Sequence, residues 1–239
     1  MDEQLLTITK AAEILGVSVD TLRRWDKSGK LVAIKKDGGV HRFYRQKDLE
    51  IFSSDLIKLA YEWAKEESEL PSTFYCSNSA VFQARLTTLE TLLMQQPGLE
   101  KLYSLVTLIA GEIGNNSFDH NLGKWPDVSG IFFGYNLIKR HIVLADRGLG
   151  ILETLRQVRP TLKNHVEAIE VAFTEFLSGR APEKRGNGLK LVREVAMSQP
   201  IDLFFQSGDA EVRIKNPNRA FNLTRGQEIL RGCFAIINF

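Results

Sequence analysis

Hydrophobic positions along the chain fall into two kinds of segment, some with a helical period and some apolar throughout. From Asp48 to about Lys65, Leu49, Phe52, Leu56, Leu59 and Trp63 recur at alternating steps of three and four, which predicts one helix with a single apolar seam. That seam has three possible partners: the segment before it, the segment after it, or a second copy of itself. Glu66-Glu67-Ser68-Glu69-Leu70-Pro71-Ser72 breaks the pattern with charge and proline and predicts a linker. Upstream, Thr9 is a candidate cap for a short helix through Ala11, Ala12 and Leu15, which Gly16 ends. Ser18 then caps a second helix from Val19 to Lys27, with Asp20 near its positive end and Ser28-Gly29 at its exit. On this helix Leu22 and Trp25 face inward, and Thr21, Arg23 and Arg24 are expected outside. Val32-Ala33-Ile34-Lys35 and His41-Arg42-Phe43-Tyr44 alternate like strands about Asp37-Gly38-Gly39, a hairpin signal.

The rest of the chain mixes helices and strands. Leu86 to Leu93 and Leu99 to Ala110 predict two apolar helices leading into a polar stretch, Glu112 to His120. Ile131 to Tyr135 and Arg140 to Ala145 read as neighbouring strands, the second ending at Asp146. Gly148 to Val158 and Val166 to Leu177 read as helices, Ser178 to Gly188 as a loop rich in Gly, Pro, Lys and Arg, and Leu189 to about Met197 as a further helix. Ile201 to Phe205, Glu211 to Lys215 and Phe234 to Asn238 close the chain as strands. The fold class is α+β, with no internal repeat.

At 239 residues, 44% hydrophobic and 25% charged, the chain has ordinary globular composition and room for one large domain or two unequal ones. No apolar run approaches the roughly 20 residues of a membrane span, and Met1-Asp2-Glu3-Gln4 lacks the basic start of a signal peptide, so a cytoplasmic protein without a membrane partner is expected. Cys76 and Cys233 have no metal-type spacing and read as reduced thiols. The net charge of +2 conceals an uneven distribution. Between Thr21 and Lys47, Arg23, Arg24, Lys27, Lys30, Lys35, Lys36, Arg42, Arg45 and Lys47 face only Asp26 and Asp37, a local excess of +7 and a candidate surface for a polyanion.

The polar stretch carries candidate chemistry. Glu112, Asn116 and His120 sit at i, i+4 and i+8, on one helical stripe at steps of about 6 Å. A carboxylate, a carboxamide and an imidazole then face one space, and a divalent cation carrying a polyphosphate would satisfy them. Gly148 and Gly150 after Asp146, and Gly186 and Gly188 before a helix, let backbone approach a ligand with no Cβ in the way. Gly188 also leads into a helix amino terminus, which favours phosphate. There is no Gly-x-x-x-x-Gly-Lys-Ser/Thr string, so the ordinary phosphate loop is excluded.

Glu-x-x-x-Asn-x-x-x-His, then Asp146-Arg147-Gly148-Leu149-Gly150-Ile151, then Gly186-Asn187-Gly188-Leu189 resemble the N, G1 and G2 boxes of the histidine-kinase-like (GHKL) ATPases. The His-ended first box is most similar to that of the anti-sigma-factor serine kinases. The resemblance implies a two-layer α/β sandwich of the Bergerat type over residues 76–239, with helices on one face of a mixed sheet, and ATP and Mg²⁺ as ligands. It implies that Asp146 accepts a hydrogen bond from the adenine amino group, that Asn116 holds Mg²⁺, and that Glu112 is the general base or orients the attacking group. His120 would lie on the phosphate or ribose side. Arg180, Lys184 and Arg185 would neutralise the γ-phosphate, and Asn115 and Asp119 are further candidate contacts on an overlapping stripe. The second box departs from the family pattern at Lys190, where a glycine is usual.

Residues 5 to 52 resemble the winged helix-turn-helix of MerR-type and excisionase-type DNA-binding proteins, whose wing often ends Arg-x-Tyr before an acidic helix start, as in His41-Arg42-Phe43-Tyr44-Arg45-Gln46-Lys47-Asp48-Leu49. By this resemblance Arg23 and Arg24 enter the major groove of double-stranded DNA, with Thr21 exposed on the same helix, and Arg42 and Tyr44 hold phosphates. A homodimer would cover two half-sites. The expected organisation is a DNA-binding domain at 1–52, a connecting helix and linker at 53–75, and an ATP-binding domain at 76–239. The expected function is a cytoplasmic DNA-binding transcription regulator controlled by Mg-ATP binding or hydrolysis. The alternative is an anti-sigma-like protein serine kinase, or an ATP-dependent switch, acting on a protein partner. Histidine autokinase activity is disfavoured because Leu86 to Ala110 contains no histidine.

Overall fold

The computed structural model describes residues 5–28, 31–35, 39, 41–65, 74–175 and 188–239. The first helix, α1 (Ile8–Leu15), has its cap two residues earlier than expected. Thr7, with extended backbone at the end of a short strand β1 (Leu5–Thr7), accepts the Lys10 N–H at 3.3 Å, and Thr9 lies inside the helix. Gly16 ends α1 at φ 65°, the left-handed conformation that a glycine adopts without strain. Ser18 caps α2 (Val19–Ser28) by accepting the Thr21 N–H at 3.0 Å. Strands β2 (Ile34–Lys35) and β3 (Arg42–Arg45) form the expected hairpin arms, although the turn at Asp37-Gly38 lies outside the described residues. β1 pairs with the other edge of β3 and completes a three-stranded antiparallel sheet.

The apolar seam forms α3 (Gln46–Lys65), and the linker expected after it lies outside the described residues. The larger body follows as β4 (Tyr75–Cys76), α4 (Ser79–Met94), α5 (Tyr103–Asn121), β5 (Ile131–Asn136), β6 (His141–Asp146), α6 (Gly150–Arg156), α7 (His165–Thr174), α8 (Gly188–Ser198), β7 (Asp202–Ile214) and β8 (Asn222–Asn238). The class is α+β, as the alternation of patterns requires.

The expected mixed sheet is corrected. Among the described strands the order is β4-β5-β6-β8-β7 and every pair is antiparallel. The crossover through α6, α7 and α8 makes β6 and β7 run the same way, but β8 returns between them and pairs antiparallel with both. The segments expected as two strands around Ser207 are one long strand. Its ladder shifts register between Ser207 and Ala210, where Gly208 has φ 62°.

The expectation of helices on one face only is also corrected. Every residue of β5 and β6 is buried, which requires cover on both faces and explains their unbroken apolar runs. On the inner face, Phe133, Ile142, Leu144 and Phe205 pack with Phe82 and Leu89 of α4, Ile109 of α5 and Val192 of α8. On the outer face, Phe132, Val143, Ala145 and Phe234 share a core with Leu56 and Trp63 of α3 and with Leu22 and Trp25 of α2. Of its three possible partners, the α3 seam takes two, the sheet and the amino-terminal head. The amino-terminal head is docked directly as well. Leu137 N–H donates to the Ile14 carbonyl at 3.4 Å, and a Cβ at Gly16 would meet the Tyr135 ring at 2.8 Å. No helix among the described residues is long and apolar enough to cross a membrane.

Candidate functional site

α5 presents two adjacent stripes at the carboxyl edge of β6. The stripe of Ile113, Ser117 and Asn121 is buried, and that of Glu112, Asn116 and His120 is half-buried. Asn116 and His120 line a small recess, about 30 Å³, together with Ser117, Asp146, Gly150, Thr154 and Leu189. Gly188, the first residue of α8, lies against the same stripe: an added Cβ would come within 2.4 Å of Glu112 Oε2 and 3.2 Å of Asn116 Nδ2. The polar stretch, the end of β6 and the start of α8 thus meet at one place. Arg180, Lys184, Arg185 and Gly186 lie outside the described residues. Asn115 turns to α4, where its Oδ1 accepts from Gln83 Nε2 at 2.6 Å, and Asp119 is exposed. Lys190, at the position where the family pattern has glycine, is buried in α8.

Asp146 is only 1% exposed. It accepts from Ser117 Oγ at 2.6 Å and from the Gly148 N–H at 2.8 Å. Burial pushes its carboxyl pKa up, against the hydrogen bonds from Ser117, Gly148 and Cys233. Burial, and then the Asp146 charge, push the neighbouring Cys233 thiol well above its ordinary range. The glycines of this turn are fixed by protein packing. A Cβ at Gly148 would fall 2.1 Å from Asn121 Nδ2, and one at Gly150, whose φ is 75°, would fall 2.5 Å from the Arg231 carbonyl. Asn121 holds the turn by accepting the Leu149 N–H and donating to the Ser117 carbonyl, each at 2.8 Å. Sequence reasoning missed Ser117 and Asn121. Their signal was present: they lie one residue after Asn116 and His120, and share the four-residue step of buried Ile113.

The basic surface of the head is built on α2 and the hairpin. Arg23 and Arg24 are exposed on α2, with Lys27 one turn on, and Lys35 and Arg45 are exposed on β2 and β3. Arg42 connects the two: its Nε donates to Asp26 Oδ2 at 2.7 Å, and Asp26 Oδ1 also accepts the Ala33 N–H at 2.9 Å. The Ala33 hydrogen bond and then the Arg42 guanidinium hold the Asp26 carboxyl below its usual range.

Residues 6–54 match the family model described as MerR HTH family regulatory protein. This segment is a MerR-family helix-turn-helix domain. The Type II methyltransferase M.Eco47II of Escherichia coli is 35% identical to this chain over 75 residues, 31% of this chain and 18% of that protein. The chain therefore matches less than a fifth of the length of that relative. No solved structure matches the chain.

Within the MerR domain two expected contacts are corrected. Thr21 is 3% exposed. It shares the inward stripe of α2 with Leu22 and Trp25, and its hydroxyl lies 2.9 Å from Ser18 Oγ and accepts from Arg24 Nη2 at 3.3 Å. Tyr44 is 1% exposed because strand alternation turns it into the core of the MerR domain and turns Arg45 out. Its hydroxyl donates to the Leu22 carbonyl at 3.2 Å, and burial raises its phenol pKa. Tyr44 fixes α2 from beneath, and Arg42 fixes it from the side.

Proposed function

We propose that this protein is a transcription regulator whose MerR domain holds double-stranded DNA and whose recess holds ATP with Mg²⁺. One observation carries the nucleotide half: Asn116, Asp146 with Gly150, and Leu189 come from three distant segments and line one recess, and Glu112 lies beside Asn116 against Gly188. The donor set suits the ligand. Asn116 offers a hard oxygen atom of the kind Mg²⁺ takes, beside the amino-terminal end of α8, whose free N–H groups favour phosphate. Bound Mg²⁺ would neutralise polyphosphate charge. Asp146, oriented by Ser117 and the Gly148 N–H, is an acceptor for an exocyclic amino group, and Glu112 is the base for the attacking hydroxyl or water. This is the GHKL-type reading of residues 76–239.

The DNA half is supported by the family match and by the exposed Arg23 and Arg24 on α2. These two enter the major groove, and the basic residues of the hairpin lie along phosphates. Two copies would read a two-fold site, and their contact would use a surface other than the α3 seam, which the sheet covers.

A duplex selected by the protein from a random-sequence pool tests both halves in a gel shift at two salt concentrations, with and without Mg-ATP. Mg-ATP should change the affinity, and Arg23→Ala should weaken binding and flatten its salt dependence. Unchanged affinity in Arg23→Ala removes the DNA half, and indifference to Mg-ATP removes nucleotide control. Phosphate release by wild type and Glu112→Ala reports turnover; equal background rates would leave a protein that holds nucleotide without hydrolysing it.

A further inference from the structure

The turn after β6 faces two ways. Asp146 borders the recess on the inner face, and the next residue, Arg147, points through to the outer face, where it is 3% exposed. Its Nη1 donates to the Trp63 carbonyl at 2.8 Å, and its Nη2 and Nε donate to Asp127 Oδ2 at 2.6 and 3.2 Å. Trp63 lies in the last described turn of α3. Asp127 lies in the segment between α5 and β5, just beyond the helix that carries Glu112, Asn116 and His120. Hydrogen bonds from Arg147 hold its carboxyl below the usual range. One guanidinium thus joins the end of β6, the segment leaving α5 and the end of α3.

From α3 the contacts run on to the DNA-binding helix. Phe52 of α3 lies 4.7 Å, centroid to centroid, from Trp25 of α2, and Leu49, Leu56 and Trp25 share one core. Arg23 and Arg24 sit on that same α2. A buried ion pair is often no more stabilising than apolar residues of the same volume, so packing alone gives little reason for a guanidinium here. Its fork of fixed donors does what an apolar side chain cannot, holding a helix carbonyl and a carboxylate from different segments in one geometry.

We propose that Arg147 is the positioning residue through which occupancy of the recess sets the placement of the MerR domain, and so its affinity for DNA. This inference rests on the nucleotide reading above. A ligand seated between α5 and Asp146 acts on two of the three segments that Arg147 holds, and the third is the helix on which the MerR domain rests.

The test measures a coupling factor in the full chain. The affinity for Mg-ATP is determined with and without a duplex selected from a random-sequence pool, and the affinity for the duplex with and without Mg-ATP. In wild type each ligand should change the other's affinity by the same factor, about fivefold or more. Arg147→Lys keeps the charge beside Asp127 and loses the fork, so each ligand alone should bind within about twofold of wild type while the factor falls towards one. A purely structural role would instead shift the separate affinities and leave the factor. Asp127→Asn loosens the same junction from its other side and serves if Arg147→Lys does not fold; it should lower the factor with the separate affinities kept. A wild-type factor of one with both ligands bound, or a full factor in either variant, overturns the inference. Wild type that binds the duplex but not Mg-ATP removes the nucleotide reading, and this inference with it.

Discussion

The two faces of the five-stranded sheet differ in what they bury. On the outer face aromatic rings make the contacts to α3 and the MerR domain: Trp63 lies 6.5 Å from Phe132, Tyr61 meets Phe234 edge-on at 5.3 Å, and Phe74, stacked on Phe132, lies 6.3 Å from Trp25. On the inner face an equally apolar core ends, at the edge of β6, in Asp146, Ser117 and Asn121, all buried and hydrogen-bonded to one another or to the turn that follows. The first kind of surface is a joint, and the second is a candidate site, because polar groups are costly to bury unless they are held in place. β6 belongs to both, with Val143 and Ala145 turned to the joint and Ile142 and Leu144 to the inner core. A single strand therefore carries the MerR domain on one side and the buried polar cluster on the other.

That contrast can be broken most severely at Phe132, which is fully buried between Phe74 and Trp63. Phe132→Ala should cost about 3–5 kcal/mol of stability in urea unfolding, the range for deleting a buried ring. A cost below about 1 kcal/mol, the level of an ordinary surface substitution, would mean that the outer face is not a joint. On the inner face, Gly148→Ala puts a methyl group 2.1 Å from Asn121 Nδ2 and should cost about 1–3 kcal/mol through overpacking. An unchanged urea midpoint would show that the turn is not fixed by Asn121.

Acid separates the two regions by sign. Asp26, in the MerR domain, has its pKa lowered in the folded state, so its contribution is full above the ordinary value of 3.8 and is lost as pH falls through the folded value. Asp146 has its pKa raised, so stability is gained as pH falls through the folded value, and the gain is complete below the unfolded 3.8. Urea unfolding across an acid series should show Asp26→Asn losing part of the acid destabilisation and Asp146→Asn losing the opposing gain. The same sign for both variants would contradict this difference between the faces. The smallest effect is expected at Tyr61, whose hydroxyl donates to Glu228 at 2.6 Å beside Lys65. Tyr61→Phe should cost about 1 kcal/mol in the same assay, the worth of one hydrogen bond.

Much of this was legible in residue order because local signals and tertiary packing agree. Ser18 and Gly16 mark the break between α1 and α2, and unbroken apolar runs mark β5 and β6. What was missed depends on pairing or on the third dimension. β1 is too short to show alternation and exists through its register with β3. β7 looked like two strands because Ser207, Gly208 and Asp209 interrupt its apolar pattern at the register shift. The position of β8 between β6 and β7 has no local signature. Thr21 and Tyr44 have polar tips that suggested contact with DNA, but the helical stripe of Trp25 and the alternation with Arg45 turn them inward. Arg147 carried no assigned role in the motif, and the arrival of α3 and Asp127 on the opposite face gives it its partners.

The measurement closest to the central claim is thermal unfolding of wild type and Asn116→Ala with and without Mg-ATP. At a nucleotide concentration about a hundred times the dissociation constant, wild type should gain about 2.7 kcal/mol and Asn116→Ala should gain none. An equal gain in both proteins, or none in wild type, would contradict a nucleotide site where α5, the end of β6 and the start of α8 meet.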